Sequence, residues 1–239
     1  AAIVWLTVPF APGAVVADLN IAVVFFIAVT SIGALGVIMA GYGSRSNFSL
    51  LGALRGAAHM ISYEVPMILS LLGVIMLAGS LSLVDIVNAQ AGGFWHWYFL
   101  PQFPMFIAFY VAGLAEARRV PFDLPEGESE IVGGFMVEYS GMTWALIQAA
   151  EFASMALISA ITATLFFGGW QPPIDALDLG NFNWVWFGLK TSLIIFTFQW
   201  VRWSLPRLRM DQLMDFGWKV LVPATLVWLF VTAGVMLVV

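Results

Sequence analysis

Residues 142–167 read MTWALIQAAEFASMALISAITATLFF, an apolar run interrupted by a single charge, Glu151. A helix rises about 1.5 Å per residue, so this run is long enough to cross the roughly 30 Å hydrocarbon core of a bilayer. Outward from it, comparable stretches occupy residues 21–40, 60–79, 101–115, 184–201 and 217–239. Hydrophobic residues make up 62% of the chain and charged residues 10%, against about 25% charged in soluble domains. The polar surface is too small to cover a globule. The expected fold is therefore all-α, a polytopic transmembrane bundle forming one domain over residues 1–239, with six full spans. Residues 1–10 are apolar from the start, carry no initiator Met or basic leader, and stop too soon for a signal peptide or a whole span. They read as the end of a helix whose N-terminal part is missing.

Charge alternates consistently across these spans. Arg45 and Arg55 fall in one loop, Arg118 and Arg119 in another, and Arg207, Arg209 and Lys219 in a third, with Arg202 at the preceding span's end. The loops at 80–100 and 168–183 contain no Lys or Arg. The positive-inside rule places the arginine-rich side in the cytoplasm or, in an organelle, the matrix. Trp95, Trp97, Tyr98, Trp184 and Trp186 stand where interfacial anchors belong. With no cysteine and only His59 and His96, expected on opposite sides, the chain lacks the ligands for an iron–sulfur cluster, a haem or a structural zinc. Redox work would need carriers held by partners.

Six acidic residues lie between Glu116 and Glu138, beside only two arginines, in a chain otherwise starved of charge. Pro121 and Pro125 break the preceding helix. Asp123 and Glu126 have capping-box spacing, and carboxylates suit a helix start, which accounts for Glu126 but not for the whole cluster. Ile131, Val132, Phe135, Met136 and Tyr139 recur at helical spacing, so residues 125–139 are expected to form an amphipathic helix on the cytoplasmic side. Glu126 and Glu130 share one face of it, and Glu128 points elsewhere, which argues against one metal site.

Carboxylates at membrane depth mark ion or proton paths by default. Glu151 lies about nine residues, roughly 13 Å, into its span. Glu64 is about one turn inside another, Glu116 closes a third, and Glu138 sits just before the span that holds Glu151. All four approach from the same side and could form one relay. Burial disfavours the charged form of an acid, which suits it to take and give protons. The competing reading pairs each with an arginine or tyrosine, most plainly Glu116 with Arg119. Lys190 reads as snorkelling to the opposite interface, and His59 as a hydrogen-bonded residue at a helix start.

Several runs resemble subunit 1, the bacterial H subunit, of respiratory complex I: SLLGALR at 49–55, ISYEVP at 61–66, AEARRVPFDLPEGESE at 115–130 and LPRLRMDQLM at 205–214. EYSGM at 138–142 and FFGGW at 166–170 match too, in the family's order. The resemblance covers nearly all of the chain from Ile21 onward. It implies a membrane subunit of proton-translocating NADH:quinone oxidoreductase, which anchors the peripheral arm and forms much of the quinone chamber.

By motif position, Arg119, Phe122, Asp123, Glu126, Glu128 and Glu130 would belong to the chamber and its loop. Glu64, Glu116, Glu138 and Glu151 would couple it to proton pumping, and Arg55, Arg207, Arg209 and Asp211 would dock the peripheral arm. No residue acts as a nucleophile or metal ligand. Quinone is the substrate, while the iron–sulfur clusters and FMN reside on partner subunits. The implied partners are peripheral iron–sulfur and quinone-site subunits, small and antiporter-like membrane subunits, and lipids, with no nucleic acid. The implied location is a bacterial cytoplasmic or mitochondrial inner membrane. His59 and Arg118 depart from the family pattern, and the first transmembrane helix with the amphipathic segment after it is not matched. A related anchor subunit of a membrane-bound hydrogenase is the neighbouring reading. A secondary transporter is the reading from another class, disfavoured because paired repeats with interrupted helices are not found.

Overall fold

The computed structural model describes residues 2–123, 134–174 and 180–238. Among these the α-helices are α1 (Ala22–Gly43), α2 (Asn47–Ala78), α3 (Leu83–Ala89), α4 (Phe103–Glu116), α5 (Gly141–Phe166), α6 (Trp184–Ser204), α7 (Met210–Phe216) and α8 (Val222–Val238), and they contain no strand. Helices follow from the apolar runs, because hydrocarbon offers the backbone no partner outside its own segment. Four are long and apolar enough to cross a membrane: α1, α2, α5, and the continuous stretch Met210–Leu237 that joins α7 to α8 through a π-helical turn. The other two expected spans fall short of that standard. α4 has 14 residues, about 21 Å of helix, and α6 carries Lys190, Gln199 and Arg202 among its tryptophans.

At the centre stands α2, packed against α1, α4 and α8, while α5 packs against α6 and α4. Its 32 residues extend about 48 Å, well beyond one hydrocarbon core. The sequence suggests a span beginning near residue 60. Small residues carry the helix further back, since Gly52, Ala53, Gly56 and Ala57 are buried on its inner face. Close approach explains Gly52. A Cβ there would come within 2.8 Å of the Gly134 Cα.

The segment before α5 differs from expectation for a physical reason. Residues 124–133, with most of the expected amphipathic helix, lie outside the described residues. The chain from Gly134 to Glu138 is not α-helical: Gly134–Met136 is a 3-10 turn, with Gly134 at φ +60°, and a further turn holds Val137 and Glu138. Phe135 and Met136 are buried with Ala34, Val37, Ala53 and Met60. Two hydrogen bonds clamp them there, from Ser49 Oγ to the Phe135 carbonyl at 3.1 Å and from the Tyr139 hydroxyl to the Ala40 carbonyl at 2.8 Å. Their apolar side chains fill the notch between α1 and α2. They do not form a face lying on the membrane.

Residues Ala2–Thr7 form a 3-10 helix whose Val4 is fully buried. Elsewhere the outer surface is apolar, with Ile32, Leu35, Met39, Trp203, Val227 and Phe230 all exposed. Such a surface suits lipid or neighbouring apolar subunits.

Candidate functional site

The end of α4 sets the site. Glu116 is its last residue, and Arg118 then takes a left-handed conformation, φ +51°, that stops the helix and folds Arg119 back toward α5. Both guanidinium groups converge on Glu151, which lies ten residues into α5 and is 1% exposed. Arg118 Nη1 is 3.5 Å from Glu151 Oε1, and Arg119 Nη2 is 3.9 Å from Oε2. These are charge contacts without hydrogen bonds, since neither carboxylate oxygen has a hydrogen-bond partner among the described residues. Aromatic rings support the cations: Phe152 lies 4.3 Å beneath Arg119 and Phe135 lies 5.6 Å from Arg118. Each charge would be costly alone in a low-dielectric site, and the one carboxylate and the two rings offset part of the cost of burying both guanidinium groups.

Glu116 does not pair with Arg119 as the competing reading suggested. It lines a cavity of about 60 Å³ together with Arg118, Met60 and Ser154, room for at least about two water molecules. Glu64, half-buried on α2, accepts a hydrogen bond from Ser31 of α1. Four charged groups, Glu116, Arg118, Arg119 and Glu151, are thus gathered at one end of the bundle, and Glu64 stands on the adjoining helix pair.

Beside this cluster lies an aromatic wedge. Phe122 is buried and packs edge-on against Tyr63, with ring centroids 5.2 Å apart, and His59 stands 4.8 Å from Tyr63 and 5.8 Å from Phe122. His59 is well inside α2 and fully buried. Neither ring nitrogen finds a hydrogen-bond partner among the described residues, so the helix-start expectation is corrected. The Tyr63 hydroxyl donates to the Leu213 carbonyl at 2.8 Å, and the Leu208 N–H to the Pro121 carbonyl at 3.4 Å. The wedge therefore ties α2, the loop after α4 and α7 together.

The remaining sequence candidates are more scattered. Arg55, one turn before His59, and Arg207 are half-buried, while Arg209 and Asp211 are exposed around the start of α7. Gln212 accepts from the Arg209 N–H at 3.4 Å, which helps cap that helix. Asp123 is half-buried beside Phe122, and Glu138 is exposed on its turn. Glu126, Glu128 and Glu130 lie outside the described residues. Among those described, no three His, Cys, Asp or Glu side chains form a group that could hold a metal ion. Sequence reasoning left Arg118 without a role and passed over Ser31. The available signal was a lone mid-span Glu151 needing a partner from its own side of the membrane, where two adjacent arginines wait.

A helical membrane protein with a buried cluster of ionisable groups toward one end of an apolar bundle is the class these features define. A model of the NADH dehydrogenase family matches residues 1–233, and the chain belongs to that family. It is 77% identical over 239 residues to the H subunit of the NADH-quinone oxidoreductase of Rubrobacter xylanophilus, covering all of this chain and 72% of that relative. The corresponding H subunit of Rhodospirillum rubrum is 52% identical over 238 residues, covering 98% of this chain and 69% of the relative. Family and relatives alike place the chain as a subunit of an oxidoreductase complex.

Proposed function

We propose that this chain forms the membrane side of the quinone chamber in a proton-translocating NADH:quinone oxidoreductase, anchors its peripheral arm, and passes the effect of quinone reduction into the membrane. The observation that carries this reading is the buried cluster in which Arg118 and Arg119 share Glu151 directly after the loop-forming end of α4. Reducing a quinone to a quinol takes two electrons and two protons. Charge and proton demand therefore change together at the chamber.

Each part has a role in that event. Arg119, with Phe122 and Asp123 after the end of α4, faces the charge that appears on the substrate, and Glu126, Glu128 and Glu130, next in sequence, add acidic groups to the chamber. A negative charge arriving near Arg119 competes with Glu151 for it, and a carboxylate held by charge contacts alone can yield without first breaking a hydrogen bond. Glu116 and Glu64 then respond through the small polar cavity and the Ser31 hydroxyl, with Glu138 at the outer edge. Electrons come from iron–sulfur and flavin centres on peripheral partners, docked at Arg55, Arg207, Arg209 and Asp211. The antiporter-like membrane partners receive the signal. This orientation puts the arginine-rich loops on the cytoplasmic side of a bacterial membrane, or the matrix side of a mitochondrial one.

The test is Arg119→Ala in the assembled complex. Quinone reductase activity should fall by at least about tenfold, as expected for loss of one electrostatic stabiliser, while the subunit stays in the membrane. Normal turnover would remove Arg119 from the chamber.

A further inference from the structure

The two arginines of the cluster are held in different ways. Arg118 stands nearer the carboxylate, 3.5 Å from Glu151, with the Phe135 ring at 5.6 Å, close to the limit of about 6 Å for a cation over an aromatic face. Arg119 reverses the emphasis. Its contact with Glu151 is the longer one, at 3.9 Å, and the Phe152 ring lies beneath it at 4.3 Å. Arg119 is 6% exposed, and its Nε and Nη2 have no hydrogen-bond partner among the described residues. What holds this guanidinium among the described residues is therefore a ring and one long charge contact.

Both supports come from one step of α5. Glu151 and Phe152 are consecutive, and successive side chains on a helix point about 100° apart, so carboxylate and ring meet Arg119 from two directions. Core packing does not account for the phenylalanine, because 47% of it is exposed. Contact with lipid does not account for it either, since any apolar side chain meets that need. A buried cation, in contrast, gains from a π face in particular.

Stacking covers a face of the planar guanidinium and leaves its N–H donors, which radiate in the plane, free at the edge. Hydrogen bonds from such a fork are directional, and a working group has to be held within about 10–20° of its productive angle. A charge contact at 3.9 Å sets no such angle. The ring beneath the group sets its plane. A quinone oxygen that gains negative charge is an acceptor suited to that edge. We propose that Phe152 is a positioning residue for quinone reduction: its ring holds the Arg119 plane so that the edge donors meet the substrate oxygen, while Arg118 stays with Glu151. This rests on the reading of Arg119 as the cation of the chamber and adds the residue that aims it.

The experiment compares Phe152→Leu, Phe152→Met, Phe152→Tyr and Phe152→Trp in the assembled complex, supplied with NADH and a short-chain quinone. Subunit content and kcat/KM for the quinone are read on each. The first two keep apolar bulk and lose the π face. They should assemble and lower kcat/KM about fivefold, the scale of one partly exposed cation–π contact. The last two keep the face, in a half-exposed place with room for a larger ring, and should retain native kcat/KM. In an Arg119→Ala background, Phe152→Leu should lower kcat/KM no further. Native kcat/KM in Phe152→Leu overturns the proposal, as does a further fivefold loss in the Arg119→Ala background. Equal loss in all four variants would tie the effect to shape, and failure of both Phe152→Leu and Phe152→Met to assemble would assign the ring to folding; either result also overturns it. Loss of activity in Arg119→Ala beside a native Phe152→Leu removes this inference alone, whereas native turnover in Arg119→Ala removes the chamber reading and this inference with it.

Discussion

Arg118 Nη1 stands 3.5 Å from Glu151 Oε1, although Arg118 closes one helix end and Glu151 lies deep in another. Together with the Arg119 contact at 3.9 Å, it joins the end of α4 to the membrane interior. Breaking a buried pair by removing one partner leaves an uncompensated charge, at a cost of about 3–5 kcal/mol. Glu151→Gln removes the negative partner with little change of shape. We expect fewer protons pumped per electron, with quinone reduction falling less. Parallel proton and NADH-oxidation rates in reconstituted complex check this, and an unchanged ratio would remove Glu151 from the coupling path.

Arg118 supplies both a backbone turn and a charge, and the two can be separated. Its left-handed φ costs about 1–3 kcal/mol for a non-glycine residue, but Asn is among the residues that adopt this conformation most readily. Arg118→Asn should therefore preserve the end of α4 and the assembly of the complex while leaving Glu151 with Arg119 alone. The expected outcome is normal subunit content and an altered pumping ratio. Loss of the subunit from the membrane would show that the side chain matters chiefly for folding.

Tyr63→Phe keeps the ring that packs on Phe122 and deletes only the hydroxyl that holds the Leu213 carbonyl. One hydrogen bond is worth about 1 kcal/mol net, about a fivefold change in a local opening equilibrium. Limited proteolysis of the complex at residues 205–209 should therefore quicken by about that factor. Equal cleavage rates would detach the tyrosine from the placement of α7.

The helices were legible because they depend on one property, a long apolar run, and that property is local. The cluster was legible only in part. Glu151 declared itself by being a charge in the wrong solvent, and the motif around Arg119 pointed to the loop. The partnership of Arg118 with Glu151 could not be read from spacing, because it depends on a left-handed residue turning the chain back. The same limit explains the helix expected up to Tyr139. Periodicity in Phe135 and Met136 reflected burial, and the partner that buries them, the small-residue face of α2, lies far away in sequence. Lys190 does not snorkel as its position suggests, for a similar reason: its Nζ donates to the Phe167, Gly169 and Gln171 carbonyls of a glycine turn on another segment.

That small-residue face carries the last prediction. Gly52 approaches the Gly134 backbone so closely that a Cβ would lie 2.8 Å from its Cα, and the obstruction is main chain, not a flexible side-chain tip. Gly134 itself holds φ +60°, so the turn has little room to shift without losing the hydrogen bond from Ser49 to Phe135. Gly52→Val would force that turn away from α2, and overpacking of this kind costs about 1–3 kcal/mol. Phe135 supports the Arg118 guanidinium from the same turn, so displacement there reaches the charge cluster. The complex should lose thermal stability and quinone reductase activity together, while Gly52→Ala shows a smaller loss of both. Measuring melting and turnover on the same preparations checks the link, and a destabilised Gly52→Val complex with native turnover would show that the turn does not position Arg118.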